Sequence, residues 1–248
     1  HPAETRRPLC RPADGEGHHR LQHTPQAASG RCRGLARAFH RPDPTKQQAA
    51  TAASECHHGA MGDSLGGRLL LAGPRLVDPN FIRTVVLVCR HDADGALGLV
   101  LNRPTSLPVA EALPGWTGVL APPNVIFLGG PVQPEMAVAL ARLLPAHAGR
   151  AESDAWTPVD QRLGLLNLSA PPEEELGTLE ELRVFAGYAG WAAGQLDFEV
   201  SSGDWWVLPA YPDDPFTGAP GGLWRRVLRR QRGPVALFAD FPPDPSMN

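Results

Sequence analysis

The stretch "RTVVLVCRHDADGALGLVLNRP", residues 83–104, holds two apolar runs rich in β-branched residues, joined by a polar loop containing Asp94-Gly95. Asp-Gly between two strand-like runs is a strong local hairpin signal, because glycine adopts the backbone twist that a tight turn needs. An antiparallel strand pair is therefore part of whatever this chain folds into.

Other runs fit around it. "GRLLLAGPRL" reads as a strand ended by Gly73-Pro74, "NVIFLGGP" as a strand closed by Gly129-Gly130-Pro131, and "RLGLLNLSA" and "DWWVLPA" as two more. "EMAVALARLL" fits a strand through Met136, Val138 and Leu140 and a helix through Met136, Leu140 and Leu144. "PPEEELGTLEEL" opens with prolines and acids, which suit a helix N-terminus, and "AAGQLDFEVSSG" reads as a short helix. "LRVFAGYAGW" reads as a strand that turns into that helix at its glycines. "GLWRRVLRRQRG" is amphipathic, with Leu223, Trp224, Val227 and Leu228 on one side. Strands outnumber helices, so the expected fold is mixed α/β (α+β-like) rather than a regular doubly wound sheet.

This pattern stops short of the N-terminus. Residues 1–60 contain no Val, Ile, Trp, Tyr or Met, and their sizeable apolar residues are Leu9, Leu21, Leu35 and Phe39. Such a segment cannot bury enough surface to offset the entropy of ordering it. A disordered tail is expected over 1–60 and one compact domain over 61–248. The chain begins with His1 and its first Met is Met61, so the tail reads as a non-native upstream extension, with a transit peptide as the competing reading. No run has the apolar core of a signal peptide or the length to span a bilayer, so a cytoplasmic location without membrane contact is expected.

From Met61 onward there are fourteen Arg, no Lys and twenty-one Asp and Glu, a net charge of −7. An acidic body argues against direct nucleic-acid binding, which draws its affinity from neutralising phosphates. The arginines 225, 226, 229, 230 and 232 form a basic helix face, but no helix-turn-helix pattern precedes them. Cys10, Cys32 and Cys56 show no paired spacing, and Cys89 sits in the apolar run "TVVLVC" as a small buried hydrophobe. No metal or cofactor is expected.

Two motifs point to chemistry and fail on context. Gly62-Asp63-Ser64-Leu65-Gly66 matches G-x-S-x-G, but its Ser precedes a strand instead of following one, and neither His91 nor His147 has an Asp three residues before it. An EF-hand loop starting at Asp92 would need Gly at Leu97 and Glu at Arg103.

Four blocks in order resemble the YqgE/AlgH family, uncharacterised protein family 0301. They are "LLLAGPRLVDPNFIRTVVLVCRHDADGALGLVLNRP", "VIFLGGPV", "LRVFAGYAGWAAGQLDFEV" and "FPPDPSMN". The resemblance implies a bent sheet closing toward a pseudo-barrel, in a bacterial protein whose family partly carries the label of a transcriptional regulator. It implies no reaction. The family usually shows Gly-Pro or similar after the signature Trp, where this chain has Ala192-Ala193 before Gly194-Gln195-Leu196.

Three glycine- or proline-bounded turns share one grammar: Asn102-Arg103-Pro104, Gly129-Gly130-Pro131 and Gly187-Tyr188-Ala189-Gly190, with Gln195 placed to reach back to the last. Glycine admits positive φ and close backbone approach, and amides left free at such turns can hold an anion or a carbonyl. The opposite reading is a corner stapled by Trp191. Arg103 is either a ligand-binding cation or a tie to backbone carbonyls. If the turns share a rim, Asn102, Arg103, Gly129, Gly130, Gly187, Tyr188, Gly190 and Gln195 are the candidate ligand-binding residues, with no catalytic set. The expected function is a non-enzymatic regulatory or binding protein for a small ligand or a protein partner. The alternative is an enzyme acting on a small anionic substrate at the same rim.

Overall fold

A computed structural model describes residues 64–73, 76 and 78–241, all within the unit Cys32–Asn248. The disorder expected for residues 1–60 lies outside the described residues. The described residues fold as a mixed α/β structure whose ten strands form one sheet, curled into a half-barrel with helices packed on it.

The strands are β1 Arg68–Ala72, β2 Val85–Asp92, β3 Gly95–Val100, β4 Pro104–Pro108, β5 Val125–Leu128, β6 Val132–Leu143, β7 Trp156–Pro158, β8 Leu163–Leu166, β9 Leu179–Ala192 and β10 Trp205–Pro209. The helices are α1 Val109–Ala112, α2 Pro172–Glu175, α3 Gln195–Ser201 and α4 Leu223–Arg229. The sheet order is β10-β1-β2-β3-β9-β6-β8-β7, and β5 joins β4 to β9 off that path. The expected hairpin is β2–β3, paired down to Asp92 opposite Gly95.

Both faces of the sheet are covered, so its central strands are nearly continuous apolar runs. Leu69, Leu71, Val85, Leu87, Leu99, Leu101 and Phe185 face α4, which presents Leu223, Trp224, Val227 and Leu228. The alternate residues Leu70, Val86, Val88 and Val100 pack with Trp191, Trp205 and Leu196 of α3. Farther along that outer face, Ala139, Ala141, Leu143 and Val184 pack with Trp116 and Trp156.

Strand β9 is the centre of the arrangement. Its edges take β6 on one side and, on the other, first β5 in parallel and then β3 antiparallel. Here the structure corrects the sequence reading. Gly187–Gly190 is not a strand-to-helix turn, because β9 runs on to Ala192 and the helix begins after Gly194 at φ 71°. Gly187, at φ 68°, instead stands at a break in the pairing: Ala186 pairs with Ala137 and Tyr188 with Val132, so one residue of β9 faces four of β6. Alternation along β9 breaks at Gly187, so each later side chain meets the other face. Tyr188 thus joins Phe185 on the inner face, and Trp191 enters the outer cluster.

The ambiguous "EMAVALARLL" is strand, within β6. The expected helix over "PPEEELGTLEEL" is a single α turn followed by a 3-10 turn, because residues from Leu179 onward are drawn into β9.

Candidate functional site

The candidate rim rests on a crossing of two backbones. Ala186 pairs with Leu128 of β5 on one edge and Ala137 of β6 on the other. The link from β5 to β6, Gly129-Gly130-Pro131, therefore passes over β9 at Gly187. A Cβ at Gly129 would lie 2.2 Å from the Gly187 carbonyl oxygen. One at Gly187 would lie 2.7 Å from the Val132 oxygen and 2.8 Å from the Gly130 oxygen. Such contacts are closer than real Cβ atoms tolerate, so both glycine motifs answer one requirement, backbone against backbone.

Neighbouring hydrogen bonds extend the rim. Gly129 N–H donates to the Ala186 carbonyl at 2.9 Å, Val100 N–H to the Gly129 carbonyl at 2.9 Å, and Leu128 N–H to the Arg103 carbonyl at 2.9 Å. The structure thus brings Asn102, Arg103, Gly129, Gly130, Gly187 and Tyr188 into one neighbourhood. Gln195 stands apart, and Gly190 lies beside the Tyr188 ring but away from Arg103. Gly190 pairs with Leu97, three residues inside the end of β3 at Val100, about 10 Å along the strand at roughly 3.3 Å per residue. Gln195 lies beyond Ala192, which pairs with Gly95 at the hairpin end.

Asn102, Arg103 and Gln195 each have partners. The Asn102 side chain accepts from Val85 N–H at 3.0 Å and donates to the Arg83 carbonyl at 2.8 Å, tying the end of β3 to the start of β2. Arg103 donates through Nη2 to the carbonyls of Pro79 at 2.9 Å and Ile82 at 3.4 Å. Burial pulls the pKa of its guanidinium down, and the Asp78 carboxylate opposes that. Gln195 Oε1 accepts from Ala192 N–H at 3.0 Å, and its Nε2 donates to Glu199. Glu199 Oε2 in turn accepts both indole N–H groups, from Trp191 and Trp205, each at 2.9 Å.

No nucleophile–base pair forms at the G-x-S-x-G motif. Ser64 Oγ donates to the His91 backbone carbonyl at 2.9 Å. The His91 ring accepts from Leu65 N–H at Nδ1 and has Nε2 3.4 Å from Asp197, so neither nitrogen faces the hydroxyl. Among the described residues no group of three or more His, Cys, Asp or Glu could hold a metal ion. No described helix is long and apolar enough to cross a membrane.

The basic face of α4 and the residues just after it is largely engaged. Arg226 donates to Thr217, Arg229 to Asp240, and Arg230 grips Asp214 with both terminal nitrogens, whereas Arg225 is exposed. Sequence reasoning missed Arg183, 1% exposed, which donates to the carbonyls of Pro122, Pro215 and Thr217 and lies 4.3 Å over the Phe127 ring. Burial lowers its pKa to about 10. Also missed were exposed apolar residues beside the rim: Leu128 at 48%, Ile82 at 45% and Phe241 at 49%. Leu128 ends the apolar run "VIFL", and nothing local distinguishes it from its buried neighbours.

The AlgH-like family profile matches residues 69–236. A UPF0301 protein of Streptomyces coelicolor is 46% identical over 185 residues, covering 75% of this chain and 96% of that protein. One of Thermobifida fusca is 46% identical over 194 residues, with the same coverage. Among solved structures, a Corynebacterium diphtheriae protein superimposes with a TM-score of 0.66 at 32% identity, over 74% of this chain and 95% of that one. The AlgH protein of Pseudomonas aeruginosa gives 0.54 at 29% identity, over 75% and 98%.

Proposed function

The chain belongs to the AlgH-like family of UPF0301 proteins, and from that premise we propose that it is a non-catalytic binding protein whose partner is another protein, received at the rim of Arg103, Leu128–Gly130 and Ala186–Tyr188. The observation that carries this reading is how the rim spends its polar groups. Gly129 N–H, Asn102 and the Arg103 guanidinium bond inward, to the chain itself. What the rim turns outward includes apolar surface at Leu128 and Ile82. Exposed apolar side chains among satisfied backbone suit contact with a protein surface better than capture of a small anion. An enzyme acting on a small anionic substrate here would need catalytic groups at Arg103, and the carboxylate that acts on it, Asp78, would repel such a substrate. A regulatory role would run through the bound protein, since among the described residues no DNA-reading helix pair accompanies α4.

The test is site-specific photo-crosslinking in the source bacterium. A photoreactive residue at Leu128 is expected to give a discrete protein adduct, and one at Phe198, exposed on α3, is not. Adducts at Phe198 with none at Leu128 would reject the rim.

A further inference from the structure

The rim continues into a band along one side of the molecule. Leu128 joins Arg103 by a backbone hydrogen bond, and Arg103 joins Ile82 through its guanidinium. The next residue, Arg83, donates to the Phe241 carbonyl at 2.6 Å and lies 4.8 Å over the Trp224 ring. Arg225, on the exposed face of α4, is close enough to Arg83 for the two positive charges to repel. Three apolar and three cationic residues are thus linked in one series: Leu128, Arg103, Ile82, Arg83, Phe241 and Arg225. The three apolar members are each close to half exposed. Asp78 is the carboxylate that acts on Arg103, and the neighbouring Asp240 is held by Arg229.

We propose that this band receives an acidic, apolar segment of a partner protein, its carboxylates meeting Arg103, Arg83 and Arg225 and its apolar side chains meeting Leu128, Ile82 and Phe241. The inference rests on the binding reading above and adds the chemistry of the occupant. Charge complementarity selects it. The chain from Met61 onward carries −7, yet this band is cationic, so it is a local exception to the field around it. A short segment touches the band alone. A duplex or an anionic membrane is a broad polyanion and meets the acidic remainder as well, which disfavours both. A second copy docked by two-fold symmetry would set the guanidiniums against their own images.

The test uses a random-peptide library displayed on phage, selected against the full chain and against Arg225→Glu and Leu128→Asp. Anionic phospholipid vesicles and duplex DNA are run in parallel. Peptides rich in Asp and Glu with Leu, Ile or Phe should be enriched, and Leu128→Asp should weaken a selected peptide by about tenfold or more, on the scale of a buried interface anchor. Arg225→Glu should shift the enrichment away from acidic and toward basic peptides, a reversal that loss of fold cannot produce. Enrichment without acidic bias, or the same peptides for Arg225→Glu, overturns the acidic occupant and leaves the Leu128 crosslink to judge the rim separately. Tighter binding of vesicles or duplex than of any selected peptide, or elution of the free chain as a dimer that Leu128→Asp dissociates, assigns the band to another occupant and overturns the proposal.

Discussion

The backbone of Gly130 lies directly against that of Tyr188: a Cβ on Gly130 would stand 2.2 Å from the Tyr188 carbonyl carbon and 2.4 Å from the Ala189 nitrogen. Neither atom can move aside without breaking β9. Gly130→Ala should therefore cost about 3 kcal/mol or more, at or beyond the upper range for overpacking. Gly187→Ala should do likewise, since it adds a positive φ to the clash. Gly177→Ala, with nothing within 4 Å, should change stability by less than about 0.5 kcal/mol. Urea unfolding of the three variants checks the order.

Glu199 holds the outer aromatic cluster by its indole nitrogens. Glu199→Ala leaves two partly buried N–H donors unsatisfied and should cost about 2 kcal/mol. Trp191→Ala removes a ring that is 7% exposed and packed 6.0 Å from Trp205, so about 3–5 kcal/mol is expected. Equilibrium denaturation followed by circular dichroism measures both.

The pH response of Glu181 has a definite sign. Burial raises its pKa above the ordinary carboxylate range, although Arg142 pulls the other way. The folded state then binds the proton more tightly than the unfolded state, so this group's contribution to stability falls as pH rises through the carboxylate range. Glu181→Gln should remove that fall. The variant should gain on the parent at pH 7 relative to their difference at acid pH, in paired urea titrations.

Cys89 is 5% exposed, and burial pushes its thiol pKa well up. The thiolate is the reactive form. Alkylation of the peptide carrying Cys89 should therefore be negligible in the native protein and rapid in urea, as read by mass spectrometry. Labelling at equal rates in both would show that the core opens around β2.

Much of the fold is legible in local pattern. The β2–β3 hairpin, β1, β5, β8, β10, α3 and α4 each announce themselves by β-branched runs, turn residues or helical spacing. Strands β4 and β7 do not, because Pro104, Pro108 and Pro158 look like breaks and are tolerated only in short pairings. "EMAVALARLL" carries both periodicities, and what decides is its long-range partner β9. The same holds for the site. "FAGYAGW" has the grammar of a turn, yet its glycines are required by Gly129-Gly130, far away in sequence. Asn102 and Arg103 were visible as polar punctuation, but their carbonyl partners belong to a different loop. Ile82 reaches the band through Arg103 and Phe241 through Arg83, contacts that no spacing rule encodes.

The link over β9 also sets the order of assembly. Strands β3, β5 and β6 are all made before β9, and each needs it as a neighbour. A chain growing from its N-terminus therefore carries three strands with one open edge each, since β2, β4 and β8 cover only their other edges, until β9 has left the ribosome to lie beneath the Gly129–Pro131 strap. Closure of most of this sheet waits for β9, and nascent chains halted before residue 179 keep those edges open to aggregation.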